Sequence, residues 1–350
     1  MDQRLVELEE LAKNQGRIEG RNFSGLSARG IEWKGISFIR CSFSKADISD
    51  AMLSGCRFEE CDLSWANFKA SRIIGSAFLR SDLRGCEFQA SDLDDCGFIE
   101  VNLEESNFTR LDLSRSKFDR CQFKNANLRA VILDLSQLSG MNLEGAILTG
   151  VDLSGIKLKD FSFKGAQLDQ TIFRGANLEG IDFSSANLES ADFGSAKLLK
   201  CKFDHSRLRA GNFQKAEVNG CEFSQANMID LSGPASAWKG CRFFLTNLSG
   251  ADFRGARFFG NDFSRAQLVE VKFDEGELTG NSFYGSRFRG ASFRKTKLLI
   301  SDFEEVDFPK GNFSELDLTG ANFRGANLLE SNFSSGVLKE ADFSYAVISG

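Results

Sequence analysis

Residues 176–193 read Ala176-Asn177-Leu178-Glu179-Gly180-Ile181-Asp182-Phe183-Ser184-Ser185-Ala186-Asn187-Leu188-Glu189-Ser190-Ala191-Asp192-Phe193. Leu178, Phe183, Leu188 and Phe193 stand five apart, and Ala precedes three of them by two places. A helix needs apolar residues every three to four positions and a strand every two, so a period of five fits neither. It fits a chain that turns a corner every five residues, with the large centre and the residue two before it facing inward.

Outward from this stretch the same register runs from Ile18 to Ile348, 67 consecutive centres at numbers ending in 3 or 8. Of these, 65 are Leu, Phe, Ile, Val, Met or Trp, and the exceptions are Ala28 and Gly233. Among the 35 Phe, 32 are centres; Phe161, Phe244 and Phe259 lie elsewhere. Two residues past the centres stand 25 of the 33 Gly, where the second central residue of a type II turn requires positive φ. Pro309 follows the centre Phe308 and suits the first central turn position, where its fixed φ is favoured. Four corners make a square coil of about 20 residues, and stacked coils rise by about 4.8 Å, the strand spacing.

The composition agrees with an ordered chain. An apolar fraction of 42% in 350 residues excludes a disordered protein, and no apolar run of about 18 residues is present to cross a bilayer. The length first suggests two domains or one extended architecture, and the unbroken register favours a single rod.

The pattern of a small residue, Asp or Asn, then Leu or Phe, then two more residues resembles the pentapeptide repeat family, and it covers residues 16–350. The resemblance implies an all-β solenoid: a right-handed quadrilateral parallel β-helix, here of about 17 coils, with four repeats to a coil. Residues 1–15 carry Leu5, Leu8, Leu11 and Ala12 at helical spacing, so a short amphipathic α-helix is expected as an N-terminal cap. That segment is too acidic to read as a signal peptide. The repeat runs on through Phe343 and Ile348 without a second cap, which predicts a homodimer through the C-terminal coil.

Within the coils, Phe recurs mainly at numbers ending in 8 up to Phe118 and at numbers ending in 3 from Phe163 onward. Seven Leu centres, Leu128 to Leu158, lie between, so a junction of two sub-rods is expected at 124–160 if the switch is more than drift within one core. At 229–237 the centre is Gly233 and Pro234 follows it, which predicts a bulge or loop of unchanged length, a place where recognition concentrates.

Little in the sequence points to catalysis. The nine Cys all occupy the small inward position, contain no CxxC pair and are odd in number; they read as packing residues in a reducing cytoplasm. His205 is the only His and is expected to face water. No phosphate loop or nucleophile elbow is present, so no cofactor, metal or catalytic residue is assigned and the chain reads as not an enzyme.

Surface residues remain. Residues 86–105 carry Glu87, Asp92, Asp94, Asp95, Glu100, Glu104 and Glu105 with no Lys or Arg. Residues 281–300 carry Arg287, Arg289, Arg294, Lys295 and Lys297 with no acid. Outward positions with apolar side chains are Trp65, Phe244, Leu245, Phe259, Tyr284, Leu299 and Ile300, and six of the seven cluster with the basic coil, which marks 229–300 as a partner-binding surface.

The expected function is a non-enzymatic rigid scaffold for a protein partner. Its layout is similar to bacterial secretion-system accessory or effector proteins, which implies a cytoplasmic protein or a secretion substrate. The alternative is a DNA-mimicking regulator, because Phe38-Ile39-Arg40-Cys41-Ser42-Phe43 resembles the fluoroquinolone-resistance pentapeptide proteins that engage DNA gyrase. Mimicry needs negative charge along the rod, and a net charge of −6 supplies little. Direct nucleic-acid binding by the basic coil is disfavoured by the overall acidity, and no membrane association is expected.

Overall fold

Each coil closes on itself through turns that the five-residue period dictates, and each coil then pairs with the next at a shift of twenty residues. In a computed structural model, residues 3–134 and 141–349 are described. The pairing is parallel and in register, as in Phe38↔Phe58 and Leu178↔Leu198. The chain divides into two units, Met1–Val151 and Asp152–Gly350. The part of the expected junction that falls on 135–140, with the centre Leu138, lies outside the described residues.

The first unit begins with α1, Gln3–Asn14. The helix lies against the first coils: it buries Leu8, its Arg4 guanidinium donates to the Ser24 carbonyl at 2.8 Å, and Glu7 pairs with Arg21 at 3.5 Å. A six-stranded parallel ladder follows, from Arg17–Glu19 to Lys117–Asp119, beside a three-stranded one that starts at Glu32–Lys34. The second unit carries a seven-stranded ladder from Lys157–Lys159 to Glu277–Thr279. The two long ladders mark thirteen turns of a parallel β-solenoid with one short N-terminal helix, fewer than the nearly 17 expected. Outside the named strands the twenty-residue step continues as isolated bridges such as Asn327↔Val347, too short to count as strands.

The core is a set of stacked columns. Phe38, Phe58, Phe78, Phe98 and Phe118 stack with ring centroids 4.9–5.1 Å apart, and Phe68, Phe88 and Phe108 form a second column on another face. In the second unit, stacks run through Phe163, Phe183, Phe203 and Phe223 and through Phe173, Phe193 and Phe213. Offset stacking at this separation adds to the area buried. All nine Cys are buried free thiols in the inward position, and Cys86 donates to the Leu63 carbonyl of the coil before. Burial pushes the Cys121 thiol up to about 11 and the Cys96 thiol up to about 12.

The corners show why Gly is common but not required. Every residue two past a centre with a recorded left-handed backbone, Gly or not, has φ between about 47° and 74°. At many of these corners the centre carbonyl also accepts from the N–H three residues on, as Phe23 does from Leu26, whereas corners that end a three-residue strand, such as the one after Phe58, turn without that bond. Asp or Asn before the centre supplies a further bond: Asp62 Oδ1 accepts from the Ser64 N–H at 3.0 Å. That side chain satisfies a turn donor that the inter-coil ladder leaves free.

The bulge expected at 229–237 is absent. Ser232 bridges both Asn212 and Asp252, and the Gly233 N–H donates to the Asp252 carbonyl at 2.8 Å. Pro234 sits at the first central turn position, the place Pro309 holds in its own coil, and the Ser236 N–H closes the turn on the Gly233 carbonyl. Gly233 is small because a Cβ there would meet the Phe253 ring at 2.8–2.9 Å. The next centre, Trp238, is large: its ring touches Phe213, Phe223, Phe243, Phe253 and Phe258, and its Nε1 donates to Ser236 Oγ at 2.6 Å. A small and a large centre in succession keep the core filled.

Candidate functional site

Surface side chains come in columns twenty residues apart, so position within the coil decides which residues share a face. The face carrying Phe243, Phe263 and Phe283 is bordered by two corners. Ile300 stands at one, 70% exposed, with Phe259 just before that corner's line at the end of its strand, 58% exposed; Leu245 stands at the other corner, 44% exposed. Trp65, in the first unit, is half exposed and lies across Gly85, whose missing Cβ leaves room for the indole.

Three of the apolar residues expected to point outward are instead half-buried: Phe244, Tyr284 and Leu299. They sit one place past a centre, on the flank of the turn, where neighbouring side chains cover them. The Arg242 guanidinium lies 5.4 Å over the Phe244 ring. A hydrogen bond to the Glu305 carboxylate holds the Tyr284 hydroxyl above its ordinary pKa.

The basic coil does not form one patch with these residues. Arg287 and Arg289 lie on the next face, Arg294 and Lys295 on the one after, and Lys297 on the fourth, so the five cations girdle the coil. Arg287 shares a shallow groove with Leu245, Arg265, Tyr284 and Glu305. Among the described residues none of the five makes an ion pair within 4.0 Å, so the charge of this belt is not offset by direct pairing.

The acidic coil is the opposite case. Six of its seven carboxylates are paired with cations of the coils on either side. Lys69 meets Glu87 at 3.7 Å, Arg72 meets Asp92 at 3.6 Å and Arg84 meets Glu104 at 3.7 Å. Arg120 meets Glu100 at 2.8 Å, and Arg115 meets Asp94 and Asp95 at 2.8 and 2.6 Å. The run of acid in the sequence is therefore not a free anionic surface, because cations twenty residues away in the chain are adjacent in space.

His205 is exposed at a corner, as its place in the repeat requires. Among the described residues no group of three or more His, Cys, Asp or Glu is placed to hold a metal ion, and no helix is long and apolar enough to cross a membrane.

Family models place the same repeat on the chain. One for a pentapeptide repeat region matches residues 31–108, and one for pentapeptide repeats in eight copies matches 96–134, 136–165, 162–198, 239–274 and 311–350. These segments span more than half of the sequence, and the chain belongs to the pentapeptide repeat family. No curated protein matches it. Among solved structures it is similar to full-length QnrB1, a plasmid-mediated fluoroquinolone resistance protein, at 23% identity over 55% of this chain and 87% of that one, with a TM-score of 0.31. It is also similar to HetL, involved in heterocyst differentiation regulation in the cyanobacterium Nostoc sp. strain PCC 7120, at 19% identity over 81% and 89%, with a TM-score of 0.15. Both likenesses are to the repeat itself and carry no argument about function.

Proposed function

We propose that this chain is a non-enzymatic scaffold that presents the face between Phe259, Ile300 and Leu245 to a protein partner. The observation that carries this reading is Ile300, a β-branched residue held at φ 51° and 70% exposed, on the same edge as the exposed Phe259 two coils earlier. Such a side chain is strained at that φ, and exposure returns nothing to the fold, so its place is better explained by contact with something outside the chain. The direct test replaces Phe259, Ile300 and Leu245 with Ser. Loss of partner capture with an unchanged melting temperature supports the reading; unchanged capture removes it.

A role as a bacterial secretion-system accessory or effector, in the cytoplasm or as a substrate, rests on the layout of helix and repeats; recovery of an apparatus component with the native protein, lost in the triple Ser variant, tests it. The DNA-mimicking alternative is weakened by the pairing of the acidic coil, and a DNA gyrase supercoiling assay at stoichiometric excess decides it. We also take a homodimer through the last coil as part of the proposal. Leu338 and Ile348 are exposed there and Phe333 and Phe343 only half-buried, whereas Phe313, Leu318, Phe323 and Leu328 one coil earlier are buried. A strictly monomeric mass by light scattering at micromolar concentration refutes that part.

A further inference from the structure

The cap helix leaves one edge of the first coil unpaired. Its Arg4 guanidinium takes the Ser24 carbonyl at 2.8 Å, and its Leu8 is fully buried. The strand Glu32–Lys34, two faces further on, pairs with Met52–Ser54 on one side only. In a parallel edge strand alternate residues present both N–H and C=O to the open side. Here these are the N–H and carbonyl of Glu32 and of Lys34, and none makes a hydrogen bond among the described residues.

The next coil shows what is missing. There the Met52 N–H donates to the Ile31 carbonyl at 2.8 Å, the Ser54 carbonyl accepts from the Gly35 N–H at 2.8 Å, and Trp33 supplies the ladder bonds between them. At the twenty-residue step residues 12–14 would do this for Glu32–Lys34, but they form the last turn of α1. A helix spends its N–H groups on its own carbonyls and offers the edge none. Glu9, Ala12 and Lys13 instead make one wall of a cleft of about 440 Å³, and the strand with Ile31 makes the other.

Trp33 also lines this cleft. It is 2% exposed, and its indole N–H is buried with no acceptor. The other buried indole is satisfied: Trp238 Nε1 donates to Ser236, two residues before it, whereas Ile31 holds that place before Trp33. Donors and acceptors left unpaired at one spot are met by a group that brings both.

An extended main chain of about five residues does so, as 31–35 do for the next coil. Charge and space select its side chains. Glu9 and Glu32 face Lys13 and Lys34 across the cleft, and among the described residues none of the four is in an ion pair within 4.0 Å, so the lining is balanced and favours an uncharged segment. The residue opposite Trp33 turns inward beneath α1, where Leu8 and Ile36 already fill the core, so it has to be small. Ser in that place brings an acceptor toward the indole.

We propose that the free edge of Glu32–Lys34 binds an extended, uncharged segment of a protein partner as an added strand, with a small residue facing Trp33. This surface goes beyond the face of Phe259, Ile300 and Leu245 and does not depend on it. The test uses the full isotope-labelled chain and the acetylated, amidated peptide Thr-Val-Ser-Val-Thr at millimolar concentration, followed by NMR and hydrogen exchange. Binding is expected to slow exchange of the Glu32 and Lys34 amides and to shift the Trp33 indole resonance. One control is the peptide N-methylated at Ser and at the final Thr, which removes the donors to the two carbonyls. The other is Glu32→Pro, which deletes an N–H the fold does not use at the first position of an edge strand, so its melting temperature should stay unchanged. Each control is expected to bind about tenfold more weakly or not at all. The proposal is overturned if the peptide leaves both amides and the indole unchanged, if Glu32→Pro or the N-methylated peptide binds equally well, or if the Glu32 and Lys34 amides exchange without peptide as slowly as those of Met52 and Ser54. Should the variant not fold, the N-methylated peptide decides alone.

Discussion

At the residue scale the corner position sets the terms. Forty non-Gly residues are recorded in the left-handed region, and Ile300 alone among them is β-branched, the worst shape for that φ. Ile300→Gly is expected to stabilise the fold by about 1 kcal/mol in urea denaturation, because it relieves strain and removes a side chain that is already solvated. Gly233 is the reverse case. Gly233→Ala puts a methyl into the Phe253 ring and is expected to destabilise by about 1–3 kcal/mol, since the packed column has little room to relax.

At the scale of one column, a buried polar ladder continues where the Cys column stops. Cys201, Cys221 and Cys241 are followed by Asn261 and Asn281, both buried. Asn261 Nδ2 donates to Asn281 Oδ1 at 2.9 Å and to the Trp238 carbonyl at 3.1 Å, and the Cys241 N–H donates to Asn261 Oδ1 at 2.9 Å. Asn281→Ala strips partners from a buried amide, so a loss of about 1–3 kcal/mol is expected, with the Asn261→Ala/Asn281→Ala pair costing less than the sum of the singles. The Cys members, being buried, are expected to resist iodoacetamide at pH 8 until the chain is unfolded. Rapid alkylation of the native protein would show that the coils breathe.

At the scale of the whole molecule, pH acts through carboxylates held by turns and ion pairs. The Arg254 guanidinium beside Asp252 holds its carboxyl below the usual range; Arg57 does the same for Glu59, and the Thr319 hydroxyl for Asp317. A depressed folded-state pKa stabilises above the unfolded value, and that stability is lost as pH falls through the folded value. The melting temperature should therefore drop steadily below about pH 4, and a flat acid limb would contradict these pairings. Salt should matter less, because the pairs are exposed and individually weak.

The fold was legible in one dimension because a solenoid is built from neighbours at a fixed step. Phe38, Leu178 and Phe343 announce their inward role by number alone, and the inward Cys by its distance from the next centre. Pro234 was misread because a Gly centre looks like a broken wall, and only the contacts of Trp238 with its neighbours show that the wall is full. The site was legible in part. Exposure of Phe259, Leu245 and Ile300 follows from the repeat, whereas the partial cover of Phe244 depends on the conformation Arg242 takes over its ring and that of Tyr284 on Glu305 of the next coil.

The sequence by itself determined the coil, its period, its inward columns and its turn chemistry, since each depends on residues within five positions and on stacking identical units. Tertiary structure decided what charge remains free. Arg115 neutralises Asp94 and Asp95, while Arg294 and Lys295 make no ion pair among the described residues, because electrostatics and hydrogen bonds act between coils that the chain separates by twenty residues. The free edge of Glu32–Lys34 belongs to the same level: no local pattern marks it, and it exists only because α1 lies against the first coil without pairing with that strand.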